Sequence, residues 1–271
     1  MTLALALVAG VLIGLSLGAL GGGGSILAVP VLLALGESPS HATTGSLVVV
    51  GVTSAVGAVA AARRGASLPA RGLAFGTVAI GGAVLGGHAS TRVPEPVLML
   101  AFSLLMVVVG TLMALRQWRA RTQPRADARV LSDEPIISFS PTFACQCPRA
   151  LKVLVTATVV GLLTGFLGVG GGFLVVPALV LALGISMDLA AGTSLVVIAV
   201  TSVAALATRL GSGVQPDWSL VVALTAAAIA GSLLGGRVAA RTDTRVLSTA
   251  FTVLVLAVAA CTTVVAVPAL A

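Results

Sequence analysis

Residues 18–30 read G-A-L-G-G-G-G-S-I-L-A-V-P, and residues 165–177 read G-F-L-G-V-G-G-G-F-L-V-V-P. In the first stretch, Gly21, Gly22, Gly23 and Gly24 interrupt an apolar run extending from Thr2 to Gly36. Glycine costs about 1 kcal/mol relative to alanine in a helix interior, so four in a row unwind the helix. Over the longer windows 14–30 and 161–177, ten of seventeen positions are identical at a constant offset of 147. The shared positions include Gly14/Gly161, Gly18/Gly165, Gly21/Gly168, Gly23/Gly170, Gly24/Gly171 and Pro30/Pro177. Further on, H-A-T-T-G-S-L-V-V (41–49) matches L-A-A-G-T-S-L-V-V (189–197), and L-G-G-H (85–88) matches L-G-G-R (234–237). The chain is an internal duplication.

The chain has 271 residues, of which 58% are hydrophobic and 8% charged. Ordinary globular domains carry about 25% charged residues. Several apolar runs approach the roughly 20 residues that cross a hydrocarbon core. The expectation is an all-α polytopic membrane protein of about eight to ten spans. Each half divides into five apolar segments: 3–20, 24–36, 41–62, 70–90 and 95–115, then 152–168, 172–184, 189–209, 218–240 and 245–267. The short segments 24–36 and 172–184 reach only about 20 Å as helices. They either span a thinned bilayer or re-enter it. Residues 1–115 form the first transmembrane repeat, 116–151 a polar, Arg-rich linker, and 152–271 the second repeat. The first residues carry no basic n-region, so 1–20 is read as a helix and not as a cleaved signal.

The formal charge is +7, with fourteen of fifteen basic residues being Arg. They lie between apolar segments and not on one soluble face, which excludes a nucleic-acid partner. With the linker cytoplasmic, thirteen of them fall on the inner side and only Arg92 and Arg209 on the outer, as the positive-inside rule demands. Five segments per half is an odd number, so the second half is expected to be inverted relative to the first.

Inverted repeats with interrupted helices are a build of secondary transporters. Backbone amides left unpaired by a break are too costly to face lipid and are tolerated where they line a cavity. Helix N-termini carry about half a positive charge and bind anions without a basic side chain. The candidate substrate-binding residues are therefore Gly21, Gly22, Gly23, Gly24 and Ser25 in the first half, with the hydroxyls of Thr43, Thr44 and Ser46. In the second half they are Gly168, Gly170, Gly171, Gly172 and Phe173, with Thr193 and Ser194. The competing reading is close helix packing, which suits Gly14-x-x-x-Gly18 and Gly161-x-x-x-Gly165 best.

His41 opens the third segment beside Thr43 and Thr44 and is the candidate for proton coupling, or else an interfacial helix-start residue. Cys145 and Cys147 form C-Q-C in the linker, half of a four-ligand zinc set, so no metal is expected. The chain contains no H-E-x-x-H, G-x-S-x-G or P-loop, so neither an enzyme nor a self-contained ATP-driven pump is expected, and no cofactor.

The doubled elements G-x-G-G-G-x-x-x-x-P (168–177) and G-x-G-G-S-x-x-x-x-P (21–30), with G-T-S at 192–194, resemble the sulfite exporter TauE/SafE family. The resemblance covers the chain apart from 116–151. It implies a bacterial cytoplasmic-membrane permease, multi-pass, for sulfite, sulfonates or other organosulfur anions. The first half departs from the pattern with Ser25 in place of Gly172 and T-T-G-S in place of G-T-S. Alternating access moving a small anion through the lipid bilayer is the expected mechanism. The coupling ion (proton or sodium) and a homo-oligomeric state stay open. The alternatives are a non-transporting membrane scaffold and a passive anion channel.

Overall fold

The computed structural model describes residues 2–90, 95–122, 147–167, 172–209 and 217–266. Those residues form ten α-helices and no strand. In the first half these are α1 (Thr2–Leu20), α2 (Ser25–Ala34), α3 (Pro39–Arg63), α4 (Pro69–Ser90) and α5 (Glu95–Thr122). In the second they are α6 (Cys147–Leu167), α7 (Gly172–Leu181), α8 (Met187–Arg209), α9 (Trp218–Ala239) and α10 (Thr244–Ala266). Gly21–Gly24 form a 3-10 turn between α1 and α2. Helices α5 and α6 take up both ends of the 116–151 stretch, with Cys147 the first residue of α6. Cys145 lies outside the described residues.

Among the described residues six stretches are long and apolar enough to cross a membrane: Leu5–Ala34, His41–Arg63, Pro69–Gly86, Ala101–Trp118, Met187–Ala207 and Trp218–Ala239. Leu151–Gly165, Gly172–Leu181 and Thr244–Ala260 are shorter apolar helices. The chain is a multi-pass membrane protein, and its outer surface agrees. Leu12, Leu85, Val203, Val222 and Val253 are all exposed. An apolar surface of this extent belongs in lipid, not in water.

The first of those stretches does not run straight. A Cβ at Gly24 would lie 2.5 Å from the Ile13 carbonyl oxygen and 2.8 Å from the Leu17 Cβ. In a continuous helix Gly24 and Ile13 would be about 16 Å apart. Ala28 then clusters with Ile13 and Leu17, and Leu32 with Ala6, so α2 runs back along α1. Helix α2 stops at Gly36, whose φ of 98° only glycine adopts readily, with the Glu37 amide donating to Leu32 and the Gly36 amide to Leu33. At ten residues each, α2 and α7 are about 15 Å long, with Pro30 and Pro177 at the same position in each.

Helices cross where side chains are missing. A Cβ at Gly14 would fall on the Ala228 carbonyl and one at Gly18 on the Ser232 carbonyl, so α1 and α9 run in step. A Cβ at Gly161 would fall on Ala79 and one at Gly165 on Ala83, so α6 and α4 do the same. The packing reading of these two Gly-x-x-x-Gly pairs holds. The partners are exchanged: the first helix of each half packs on the fourth of the other. Between them, α3 and α8 cross antiparallel, Gly51 against Ser202 and Gly57 against Leu195. Helices α5 and α10 pair through Gln117, which bonds Ser248, Thr249 and Thr252. Trp118 and Trp218 are exposed at helix ends.

Helix α9 is capped by Asp217, whose carboxylate accepts from the Ser219 amide (2.9 Å), the Leu220 amide (3.4 Å) and the Ser219 hydroxyl (2.7 Å). Donation by Ser219 and Leu220 holds the Asp217 carboxyl below its ordinary value.

Three outcomes are expected. Gly14→Leu and Gly161→Leu each leave no folded, monodisperse protein in detergent, because the new side chain meets backbone. Gly81→Ala, where a Cβ meets nothing within 4 Å, keeps the protein folded and raises its stability by up to about 1 kcal/mol. Asp217→Ala lowers the thermal midpoint at neutral pH. A depressed folded pKa contributes stability fully above the unfolded value and loses it as pH falls through the folded one. The difference between wild type and Asp217→Ala therefore closes below pH 3.8.

Candidate functional site

The Gly21–Gly24 turn meets the first residue of α7. A Cβ at Gly22 would fall on the carbonyl oxygen of Gly172, next to the Phe173 amide. A Cβ at Gly172 would lie 2.6 Å from the Ser25 hydroxyl and 2.8 Å from Ile198 on α8. Ser25 and Gly172 are counterparts at the offset of 147, so the halves touch at corresponding residues. Phe173 is buried and holds α7 against α5 through an edge-on contact with Phe102, ring centres 5.5 Å apart. Gly21, Gly22, Gly23 and Gly24 are all buried. Gly21 has a φ of 69° and lies against the Ser194 hydroxyl and the backbone of Ala191. A side chain there would be both strained and blocked. Gly23 is different, since a Cβ would meet only side-chain atoms, the tip of Leu254 at 3.1 Å and Leu20 and Phe251 at 3.6 Å.

The hydroxyls divide by what they bond. The Ser25 hydroxyl donates to the Gly22 carbonyl (2.7 Å), which also receives the Ser25 amide. Ser194 donates to Ala191 (2.8 Å) and Ser46 to Thr43 (2.8 Å), matching bonds at matching positions of the two halves. Thr193 donates to Leu189 (2.6 Å) and accepts from the Leu68 amide (3.0 Å). It therefore caps the start of α4 as well as lying beside the break. Thr44 is buried and Thr43 half-buried in the first turns of α3.

The antiparallel crossing separates the two hydroxyl groups. Leu195, next to Ser194, faces Gly57. Ser46 lies eleven residues before Gly57 on α3, roughly 16 Å along the helix. Thr43, Thr44 and Ser46 stand at one end of the α3–α8 seam and Thr193 and Ser194 at the other, beyond common reach of one small ligand. Gly168, Gly170 and Gly171 lie outside the described residues. His41 is farther out still, 3.4 Å from the Glu37 carboxylate, which itself accepts from the Asp217 amide (3.1 Å).

The charged side chains among the described residues sit at helix ends, such as Arg63, Arg64, Arg71, Asp188, Arg237 and Arg245. The interior offers amides, carbonyls and hydroxyls, and no described group of three or more His, Cys, Asp or Glu gathers to hold a metal ion.

A family model for the sulfite exporter TauE/SafE matches residues 6–262. The chain belongs to the sulfite exporter TauE/SafE family. Two curated relatives from Xylella fastidiosa, strains Temecula1 and 9a5c, are each described as a probable membrane transporter protein. Each is 34% identical over 255 and 256 residues respectively, covering 92% of this chain and 90% of the relative. No solved structure matches. This TauE/SafE member is a membrane transporter by its family and by its relatives.

Sequence reasoning picked out the glycine runs but could not say which glycine matters. In this family member the Gly22–Gly172 contact admits no side chain, while at Gly23 a Cβ meets side-chain atoms only, chiefly the movable tip of Leu254. Gly22→Ala is therefore expected to abolish flux of the transported solute. Gly23→Ala is expected to keep at least half of it, with wild-type thermal stability. Equal flux through both variants, measured in proteoliposomes, would remove the Gly22–Gly172 contact from the site.

Proposed function

We propose that this protein is a secondary transporter moving a small anion, sulfite or another organosulfur anion, across a bacterial cytoplasmic membrane by alternating access. The observation that carries the reading is the meeting of Gly22 with Gly172 beside the Ser25 hydroxyl. The break between α1 and α2 in one half and the start of α7 in the other touch at this point. The family description supplies the substrate class.

The donors there are neutral. An anion held by amides and hydroxyls in a low-dielectric interior gains strong hydrogen bonds, because competing water is scarce. It is also released more readily than from a fixed charge, and transport needs both entry and exit. Helix directions support an inverted arrangement. Helices α1 and α9 run in step, α4 and α6 run in step, and α3 opposes α8. Exchange of first and fourth helices between halves gives each half a rigid arm in the other. Rocking one arm pair against the other about the α3–α8 crossing would open the junction to each side in turn.

Radiolabelled sulfite flux into proteoliposomes, with imposed pH and sodium gradients, tests the reading. Saturable flux is expected, with competition by thiosulfate or small sulfonates and accumulation driven by one of the two gradients. Flux that never saturates and never accumulates would make the protein a channel. Absence of flux for sulfite, thiosulfate, sulfonates and carboxylates alike would overturn anion transport.

A further inference from the structure

Four buried hydroxyls lie apart from the glycine junction. Thr53 and Ser54 on α3, Ser202 on α8 and Ser232 on α9 are each no more than 2% exposed. None of their oxygens has a hydrogen-bond partner among the described residues. Other hydroxyls in the same helices bond a carbonyl three or four residues back. Ser46, Ser194, Thr201 and Thr225 all do so. Thr201 is the immediate neighbour of Ser202, so the helix itself does not prevent the bond. Buried hydroxyls without partners are rare in native proteins, and each calls for a physical explanation.

Ser202 and Ser232 each lie against a glycine of α3 that flanks Thr53 and Ser54. A Cβ at Gly51 would lie 3.0 Å from the Ser202 Cβ and 3.7 Å from its oxygen. A Cβ at Gly57 would lie 3.0 Å from the Ser232 oxygen. Gly51 and Gly57 bracket Thr53 and Ser54 within about 9 Å of α3. Gly57 follows Thr53 and Ser54 at the four- and three-residue spacings that share a helix face. The row leads to a cation. The exposed Arg64 guanidinium, at the end of α3, lies 2.5 Å from where a Cβ on Gly236 would stand, one turn beyond Ser232 on α9.

The duplication makes this row one-sided. Ser54 and Ser202 are counterparts at an offset of 148. Ser232 is matched by Ala83 at an offset of 149, and Gly57 by Ala205 at 148. Ser232 and Gly57 therefore carry the row from the α3–α8 crossing toward Arg64, and their counterparts on the opposite side are alanines.

We propose that Thr53, Ser54, Ser202 and Ser232 form a second anion station, where a small oxyanion accepts hydroxyl protons on its way between the glycine junction and Arg64. This rests on the anion-transport reading above. Each hydroxyl brings one donor, and an oxyanion presents several acceptors. A hard metal cation draws six or more oxygen ligands, frequently carboxylates. Here four hydroxyls stand among helix carbonyls already bonded along the helices, with no described carboxylate beside them. The guanidinium at the end of the row attracts anions and repels cations.

The test compares wild type with Ser54→Ala/Ser202→Ala and with Ser232→Ala. Radiolabelled sulfite flux is read in proteoliposomes, and sulfite binding and thermal midpoint are read on the purified protein. The double variant is expected to raise the half-saturation concentration about tenfold, and Ser232→Ala severalfold. Thermal midpoints are expected to hold or rise, since no protein hydrogen bond is removed. Unchanged half-saturation in both variants overturns the station. A shifted sodium dependence with unchanged sulfite half-saturation assigns the hydroxyls to a cation and overturns it as well. A fall in thermal midpoint that accounts for the lost flux makes the hydroxyls structural. Wild-type protein that neither binds nor carries sulfite, thiosulfate, sulfonates or carboxylates overturns the anion reading itself, and the station with it.

Discussion

Everything in this bundle follows from backbone meeting backbone. In lipid no hydrophobic force pulls one apolar helix onto another, so contact area and weak polar contacts decide association. Gly14 and Gly18 let α1 approach until carbonyls of α9 stand where side chains would be. Gly161 and Gly165 do the same for α6 on α4. Cα–H to carbonyl contacts are worth little singly but recur at such crossings. The same closeness carries into the centre, where Gly22 rests on Gly172. The packing glycines and the junction glycines are one physical device used at two depths.

Polar side chains inside the bundle have three fates. Most hydroxyls donate to their own helix, as in Ser46, Ser194 and Thr201. Some tie elements together. Thr193 receives the Leu68 amide at the start of α4, and Gln117 joins α5 to α10. Helix α7 is fixed at its far end by the Arg116 guanidinium donating to the Val180 carbonyl, which satisfies one of its terminal acceptors. A few, on the α3–α8–α9 seam, do neither. Those seam hydroxyls are interior donors that the fold does not consume.

Much of this was legible in the residues. The duplication, the break at Gly21–Gly24 and the helix-rich membrane class followed from Gly and Pro spacing and from apolar run length. Hydropathy alone was misleading at Leu5–Ala34, because a 30-residue apolar stretch reads as one long crossing. The four glycines were the signal that it folds back. That the Thr193 hydroxyl also receives the Leu68 amide, 125 residues away in the chain, had no mark in the sequence. Ser54, Ser202 and Ser232 went unnoticed, since a serine in an apolar helix carries no mark of whether its hydroxyl is bonded.

By itself the sequence determined which segments are helical, where they break and that the chain is doubled, because these rest on local backbone preference and on repetition. Tertiary structure alone decided which surfaces meet. A row of glycines at helical spacing accepts any helix with small residues. That α1 takes α9 and α6 takes α4, and that an antiparallel α3–α8 seam sends Ser46 and Ser194 to opposite ends, depends on long-range contacts among all the helices at once.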